Sequence, residues 1–387
     1  MTHRIILGLL AIGHGAAPAI ATSQQVVRSS QHDFRVDTVV GGLVNPWSIA
    51  FLPGGDMLVT ERPGRLRIVR KGKLLDQPVA GVPAVAPSRQ GGLLDVVLHP
   101  QFAANRLVYL AFSRPASEPA ATTTVVVRGK FENDALSDVR EIFVADSRGA
   151  TGHYGSRLAF DKSGYLYITM GDRQVPPTGD LEKHPAQDLA NHHGTINRVH
   201  DDGRVPADNP FVARPGAKGE IWSYGHRNPQ GLVVDTASGN VWATEHGPQG
   251  GDELNLIRPG SNYGWPVIGY GVNYRTGSAI HAATMREGME QPVNVWVPSI
   301  GTSGLMLYTG SAFPAWRGNL FAGGLVGQQL VRLALDGQRV ESSEVILRRT
   351  GRVRDVRQGP DGNIYVAIEN EQGAPTPILR LSPVPRR

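Results

Sequence analysis

The stretch WSIAFLPGGDMLVTE, residues 47–61, decides the fold: an apolar strand, a turn of Pro, Gly and Asp, and a second apolar strand. The same unit returns five times. It reads LLDVVLHPQFAANRLVYLAF at 93–112, SRLAFDKSGYLYITMGD at 156–172 and GLVVDTASGNVWATEHG at 231–247. The last two copies are GLMLYTGSAFPAWRGNLFAGGL at 304–325 and VRDVRQGPDGNIYVAIEN at 353–370. Each half has the length of a globular strand, and DG, SG and GN are hairpin-turn pairs. Further strand-like segments, such as 65–70, 123–128 and 329–335, lie between the copies. Six spaced hairpins with extra strands between them predict an all-β, six-bladed β-propeller with about four antiparallel strands per blade. A two-sheet sandwich accounts for the strands but not for six spaced copies.

The rest of the composition narrows the function. Lys and Arg number 39 against 34 Asp and Glu, and the basic residues are scattered without a run, which argues against nucleic acid as a partner. With no cysteine in the chain, disulfides, Cys-ligated zinc and a thiol nucleophile are all excluded. Residues 1–21 read as a signal peptide: His3 and Arg4, a short apolar core at 5–13, and the cleavage pattern Ala19, Ile20, Ala21. The mature chain is expected to start at Thr22, with an extension over 22–34 and one propeller over 35–385. It is expected to be periplasmic or secreted, with no membrane span once the signal is removed.

In a propeller, residues just before each first strand and just after each second strand gather at one axial end. Here those positions are polar. HYGSRLAF and MGDR put His153 and Asp172 at the two upper ends of one hairpin, a pairing that suits a carboxylate-oriented general base or, more plainly, a structural ion pair. GHRNPQGL supplies Arg227, Asn228 and Gln230 as donors of fixed geometry, or as a polar turn. EHGPQGGDELN, residues 245–255, is an oxygen-rich irregular stretch of a kind that can bind Ca²⁺, although its carboxylates do not follow the EF-hand spacing. Arg352 and Arg354 lie two apart in an extended segment and face one way, toward a polyanion or toward solvent.

Taken together, NPWSIAFLPGGDMLVTERPGRL, QGGLLDVVLHPQF, HYGSRLAF, MGDR, GHRNPQGL, EHGPQGGDELN, NYGWP and RVRDV resemble the soluble pyrroloquinoline quinone (PQQ)-dependent glucose, aldose-sugar and sorbosone dehydrogenases. The resemblance runs from about Val40 to Leu381. It implies a small-molecule sugar substrate, PQQ and Ca²⁺ as cofactors, and an electron acceptor that the sequence does not identify. It further implies His153 as the base taking the sugar hydroxyl proton, Asp172 as its orienting partner and Arg227 as a donor to the reduced oxygen. Gln90, Asn228, Ser299, Arg352 and Arg354 are implied to hold PQQ, and the carbonyls of Gly247 and Pro248 to bind Ca²⁺. Two departures stand out. Val326 occupies the place of a cofactor-contacting lysine, and Gly194-Thr195-Ile196 lacks the lysine of a GKI-type segment; no lysine follows Lys218. A lost charged hydrogen bond predicts PQQ binding weaker by about one to two orders of magnitude than in a lysine-bearing relative. A Ca²⁺-dependent lactonase-like hydrolase and a binding propeller without chemistry are the competing readings.

Overall fold

A computed structural model describes residues 26–118, 121–149 and 152–385, so the expected signal peptide and its cleavage site lie outside the described residues. The chain folds into six antiparallel sheets arranged as a six-bladed β-propeller. Blade 1 runs Pro46–Phe51, Met57–Glu61, Arg65–Arg70 and Lys73–Leu74; blade 2 starts at Leu93–Leu98, blade 3 at Leu158–Phe160 and blade 4 at Pro229–Val234. Blade 5 starts at Thr302–Leu307 and blade 6 at Arg352–Gln358. These first strands touch one another in order, and the ring closes between Arg352–Gln358 and Pro46–Phe51.

Local chemistry sets the hairpins. Between Leu158–Phe160 and Leu166–Thr169, the Asp161 carboxylate accepts from the backbone N–H of Ser163 and Tyr165 at 2.8 and 3.0 Å. Gly164 completes that turn at φ +86°, a conformation that favours glycine. Second strands such as Met57–Glu61, Val241–Glu245 and Ile364–Glu369 are buried at every residue because neighbouring blades cover both faces. Outer strands such as Arg339–Arg348 carry charged, exposed side chains, which blunts the free edge.

Blade 6 is closed from the other end of the chain. Pro375–Val384 pairs with Asp33–Val44, from Asp33 opposite Val384 to Val44 opposite Pro375, and Val26–Arg28 adds a fifth strand. The apolar core lies between blades rather than at a single centre. Between blades 5 and 6, Trp316 and Phe313 stack with ring centroids 4.5 Å apart, beside Phe34 and Tyr308.

Candidate active site

The loop before blade 3 and the strand end after its second strand converge as expected of hairpin ends. His153 Nδ1 lies 2.5 Å from Asp172 Oδ1. The same oxygen accepts from the backbone N–H of Gln174 at 2.8 Å, and Oδ2 accepts from Trp265 Nε1 at 2.8 Å. Burial alone would raise the Asp172 carboxyl, but His153, Arg227 and these donors outweigh it and hold it below its ordinary value. Burial lowers the His153 imidazole despite the attraction of Asp172, so the ring is neutral at pH 7. Asp172, an acceptor only, fixes the proton on Nδ1. Nε2 of His153 then carries a lone pair and has no hydrogen-bond partner among the described residues. Close packing fixes the loop: a Cβ on Gly171 would meet the His153 carbonyl oxygen at 2.2 Å.

Blade 4 supplies the facing side. His226 is buried and spent on structure, bonding Ser223 Oγ and Glu245 Oε1 at 2.9 Å each and stacking on Tyr263. Glu245 Oε2 in turn accepts from the backbone N–H of Arg227 at 2.7 Å, and the Arg227 carbonyl accepts from Asp172 N–H at 2.8 Å. The backbone of Arg227 is thereby locked to the His153–Asp172 pair. Its guanidinium lies over Trp265 at 5.2 Å and donates through Nη1 to the Gly247 carbonyl at 2.7 Å, while its Nε is buried without a partner among the described residues. Pro248 O accepts weakly from Ser299 Oγ at 3.4 Å.

Between these elements and blade 6 lies an axial cavity of about 520 Å³, within the size range of cofactor sites. Gln90, Asn228, Arg352 and Arg354 line it, with Trp47 and His246. The Gln90 side-chain oxygen accepts from His153 N–H at 2.9 Å, and that of Asn228 accepts from Gly155 N–H at 3.2 Å. Both amide oxygens thus hold the His153 loop, which leaves the two NH₂ groups without protein acceptors among the described residues. Arg354 grips Glu369 through Nε and Nη2 at 2.7 and 2.9 Å, and Arg352 Nε reaches the same carboxylate at 3.0 Å. Burial would raise Glu369, but Arg354, Arg352 and Arg62 pull it down to about 2. Under the cavity, Trp47 lies 4.1 Å from the guanidinium of the fully buried Arg157, which spans Asp95 and Asp355 at 3.3 and 3.2 Å. Ser48 and Gln230 join that network, so five blades are tied together directly beneath the site.

A sequence profile described as Glucose / Sorbosone dehydrogenase matches residues 43–380. The chain belongs to the glucose/sorbosone dehydrogenase family. Within this family it is 41% identical to the aldose sugar dehydrogenase YliI of Escherichia coli over 355 residues, covering 90% of this chain and 92% of the relative. A solved glucose dehydrogenase superposes with a TM-score of 0.84 at 43% identity, covering 89% of this chain and 98% of the other. The PQQ-bound form of an aldose sugar dehydrogenase from Streptomyces coelicolor gives a TM-score of 0.73 at 30% identity, covering 90% and 98%. An oxidoreductase follows from these kinships.

In this glucose/sorbosone dehydrogenase fold, His153, Asp172 and Arg227 form one hydrogen-bonded unit, and Gln90, Asn228, Arg352 and Arg354 meet around the main cavity. Gly247 and Pro248 line a smaller hollow that shares His246 with it, and Ser299 stands beside Pro248 rather than in the main cavity. Val326 is 71% exposed and lines an open hollow with Arg352 and Glu371 on the lip of the site. Sequence reasoning gave no role to Arg62, Arg89, Trp47, Trp265 or Glu369. The available signal was position: Arg62 and Glu369 directly follow or end second strands, where the fold gathers its upper ends.

Proposed function

We propose that the protein is a PQQ- and Ca²⁺-dependent dehydrogenase that oxidises aldose sugars or related alcohols outside the cytoplasm. The observation that carries this reading is an axial cavity in which four arginines face two carboxylates, with the cavity-lining Gln90 holding the backbone of His153, whose Nε2 has no hydrogen-bond partner among the described residues. PQQ carries three carboxylates, and the cavity meets it with four guanidinium groups, Arg62, Arg89, Arg352 and Arg354, against Glu369 and Glu371. The amides of Gln90 and Asn228 face the cavity without protein acceptors among the described residues, and the Arg227 Nε is buried without one in the neighbouring hollow, donors that a ligand rich in carbonyl and carboxylate oxygens would satisfy. When bound, PQQ supplies a two-electron acceptor for hydride from the sugar carbon.

The chain's own groups handle the proton. Nε2 of His153 takes it from the sugar hydroxyl as the C–H bond breaks, and the resulting imidazolium is stabilised by the Asp172 carboxylate 2.5 Å away. Asp172 keeps its charge because Trp265 and Gln174 also donate to it. Arg227 is positioned to donate to an oxygen on which negative charge develops. For Ca²⁺, which accepts backbone carbonyls, the donors are the oxygens of Gly247 and Pro248. Arg227 Nη1 already donates to the Gly247 oxygen, so a cation bound there would share that carbonyl with a guanidinium.

The test is dye-linked oxidation of aldoses by purified protein. Turnover that appears only after PQQ and Ca²⁺ are added supports the proposal. Hydrolysis of a sugar lactone with Ca²⁺ alone, without dye reduction, would replace it with the hydrolase reading.

A further inference from the structure

Of the guanidinium groups around the axial cavity, Arg352 and Arg354 are bound to Glu369, and Arg352 also pairs with Glu371 at 2.9 Å. Arg89 is exposed to water. Arg62 is different: half-buried, it lines the cavity, and among the described residues its side chain makes one hydrogen bond, from Nη1 to the Arg89 carbonyl at 2.9 Å. No carboxylate lies within ion-pair distance of it among the described residues. Burial and the neighbouring Arg354 and Arg352 push its pKa below the usual arginine value, against the weaker pull of Glu369 and Glu371. A cation in that position is destabilised until an anion arrives.

The backbone holds Arg62 firmly in place. Its N–H donates to Asn45 O and its carbonyl accepts from Leu93 N–H, both at 3.1 Å. Gly92, at φ +137°, packs so closely that a Cβ there would meet the Arg62 carbonyl oxygen at 1.9 Å. Only a glycine fits there, so blades 1 and 2 fix where the guanidinium emerges.

We infer that Arg62 is the carboxylate anchor of the cavity, the group that grips a carboxylate of bound PQQ from the blade 1 side. The planar fork of a guanidinium matches a carboxylate in a two-point contact. The inference rests on the proposed PQQ reading and adds to it a specific residue. It also explains how a site with two of its arginines already tied to Glu369 can bind a trianionic ligand.

Arg62→Gln and Arg62→Lys should be compared with the parent by thermal unfolding without ligand, and by fluorescence titration and thermal shift with PQQ in the presence of Ca²⁺. Without ligand, Arg62→Gln should unfold at the parent temperature or above it, because a repelled charge has gone. Its PQQ affinity should fall by about ten- to a hundredfold, and the PQQ-induced thermal shift should shrink accordingly. Arg62→Lys, which keeps the charge but not the fork, should fall between the two. A parent that binds PQQ alongside an Arg62→Gln variant of equal affinity overturns this inference alone. So does an Arg62→Gln variant that unfolds early without ligand but keeps the full PQQ shift, since that is a structural arginine. A parent that binds no PQQ overturns the dehydrogenase reading, and the anchor falls with it.

Discussion

Replacing Asp172 with Asn probes the proposed base through the partner that orients it. The carboxylate accepts three hydrogen bonds, from His153 Nδ1 and Gln174 N–H on one oxygen and from Trp265 Nε1 on the other. An amide offers one acceptor and one donor, so in either orientation an N–H of the amide faces a donor of the protein. With the amide oxygen toward His153, the Trp265 N–H loses its acceptor. With the NH₂ toward His153, the imidazole proton is driven onto Nε2, the atom that must accept the substrate proton. Both orientations also remove the negative charge that stabilises the imidazolium. General base catalysis contributes about 10²–10⁴-fold, and tautomer inversion by a comparable Asp→Asn change in a serine protease costs about 10⁴-fold. We expect a loss of about 10³–10⁴-fold in single-turnover dye reduction at saturating PQQ and Ca²⁺, with PQQ affinity little changed. Asp172 raises the His153 pKa against the lowering effect of burial, so its loss should also move the acid limb of the rate profile to lower pH. Turnover within about threefold of the parent, with the acid limb unmoved, would refute the assignment.

Val326→Lys should tighten PQQ binding in a titration. Because Val326 is 71% exposed, the gain should be that of a screened surface charge, about 1 kcal/mol or roughly fivefold, and equal affinities would mean that no lysine role exists at that position. Trp316→Ala should lower stability by about 3–5 kcal/mol in urea denaturation, since the ring is fully buried against Phe313; a loss under 1 kcal/mol would contradict the packing described between blades 5 and 6. Glu369, depressed to about 2, contributes stability that is complete above its unfolded value of about 4.3 and is lost as pH falls toward 2. Glu369→Gln should therefore flatten the acid side of the stability curve, and an unchanged slope between pH 5 and 2 would count against the clamp on Arg352 and Arg354.

The six hairpins were readable because each is local: apolar strand, turn pair, apolar strand, with fully buried inner strands giving near-continuous apolar runs. The closing strand Asp33–Val44 was not. Its partner lies more than 300 residues away, and its pairing slips between Thr38 and Val40 and again between Val40 and Leu43, so no regular alternation marks it. His153 and Asp172 were legible for the same reason as the hairpins, as the two ends of one. The ties that make them a site were not, because they run to backbone groups across blades: Gln90 to His153, Asn228 to Gly155, and the Asp172 N–H to the Arg227 carbonyl. The buried Arg157 network left a faint trace in Asp95, the one charged residue inside the otherwise apolar first strand Leu93–Leu98. Arg62 left only its place after a second strand, since nothing local records that a guanidinium lacks a partner.

The central claim is that this axial cavity binds PQQ, and the most direct test is absorbance titration of the purified protein with PQQ, with and without Ca²⁺. The account predicts saturation at one PQQ per chain, with affinity rising when Ca²⁺ is present. An absorbance change that grows without saturating in both conditions would contradict it.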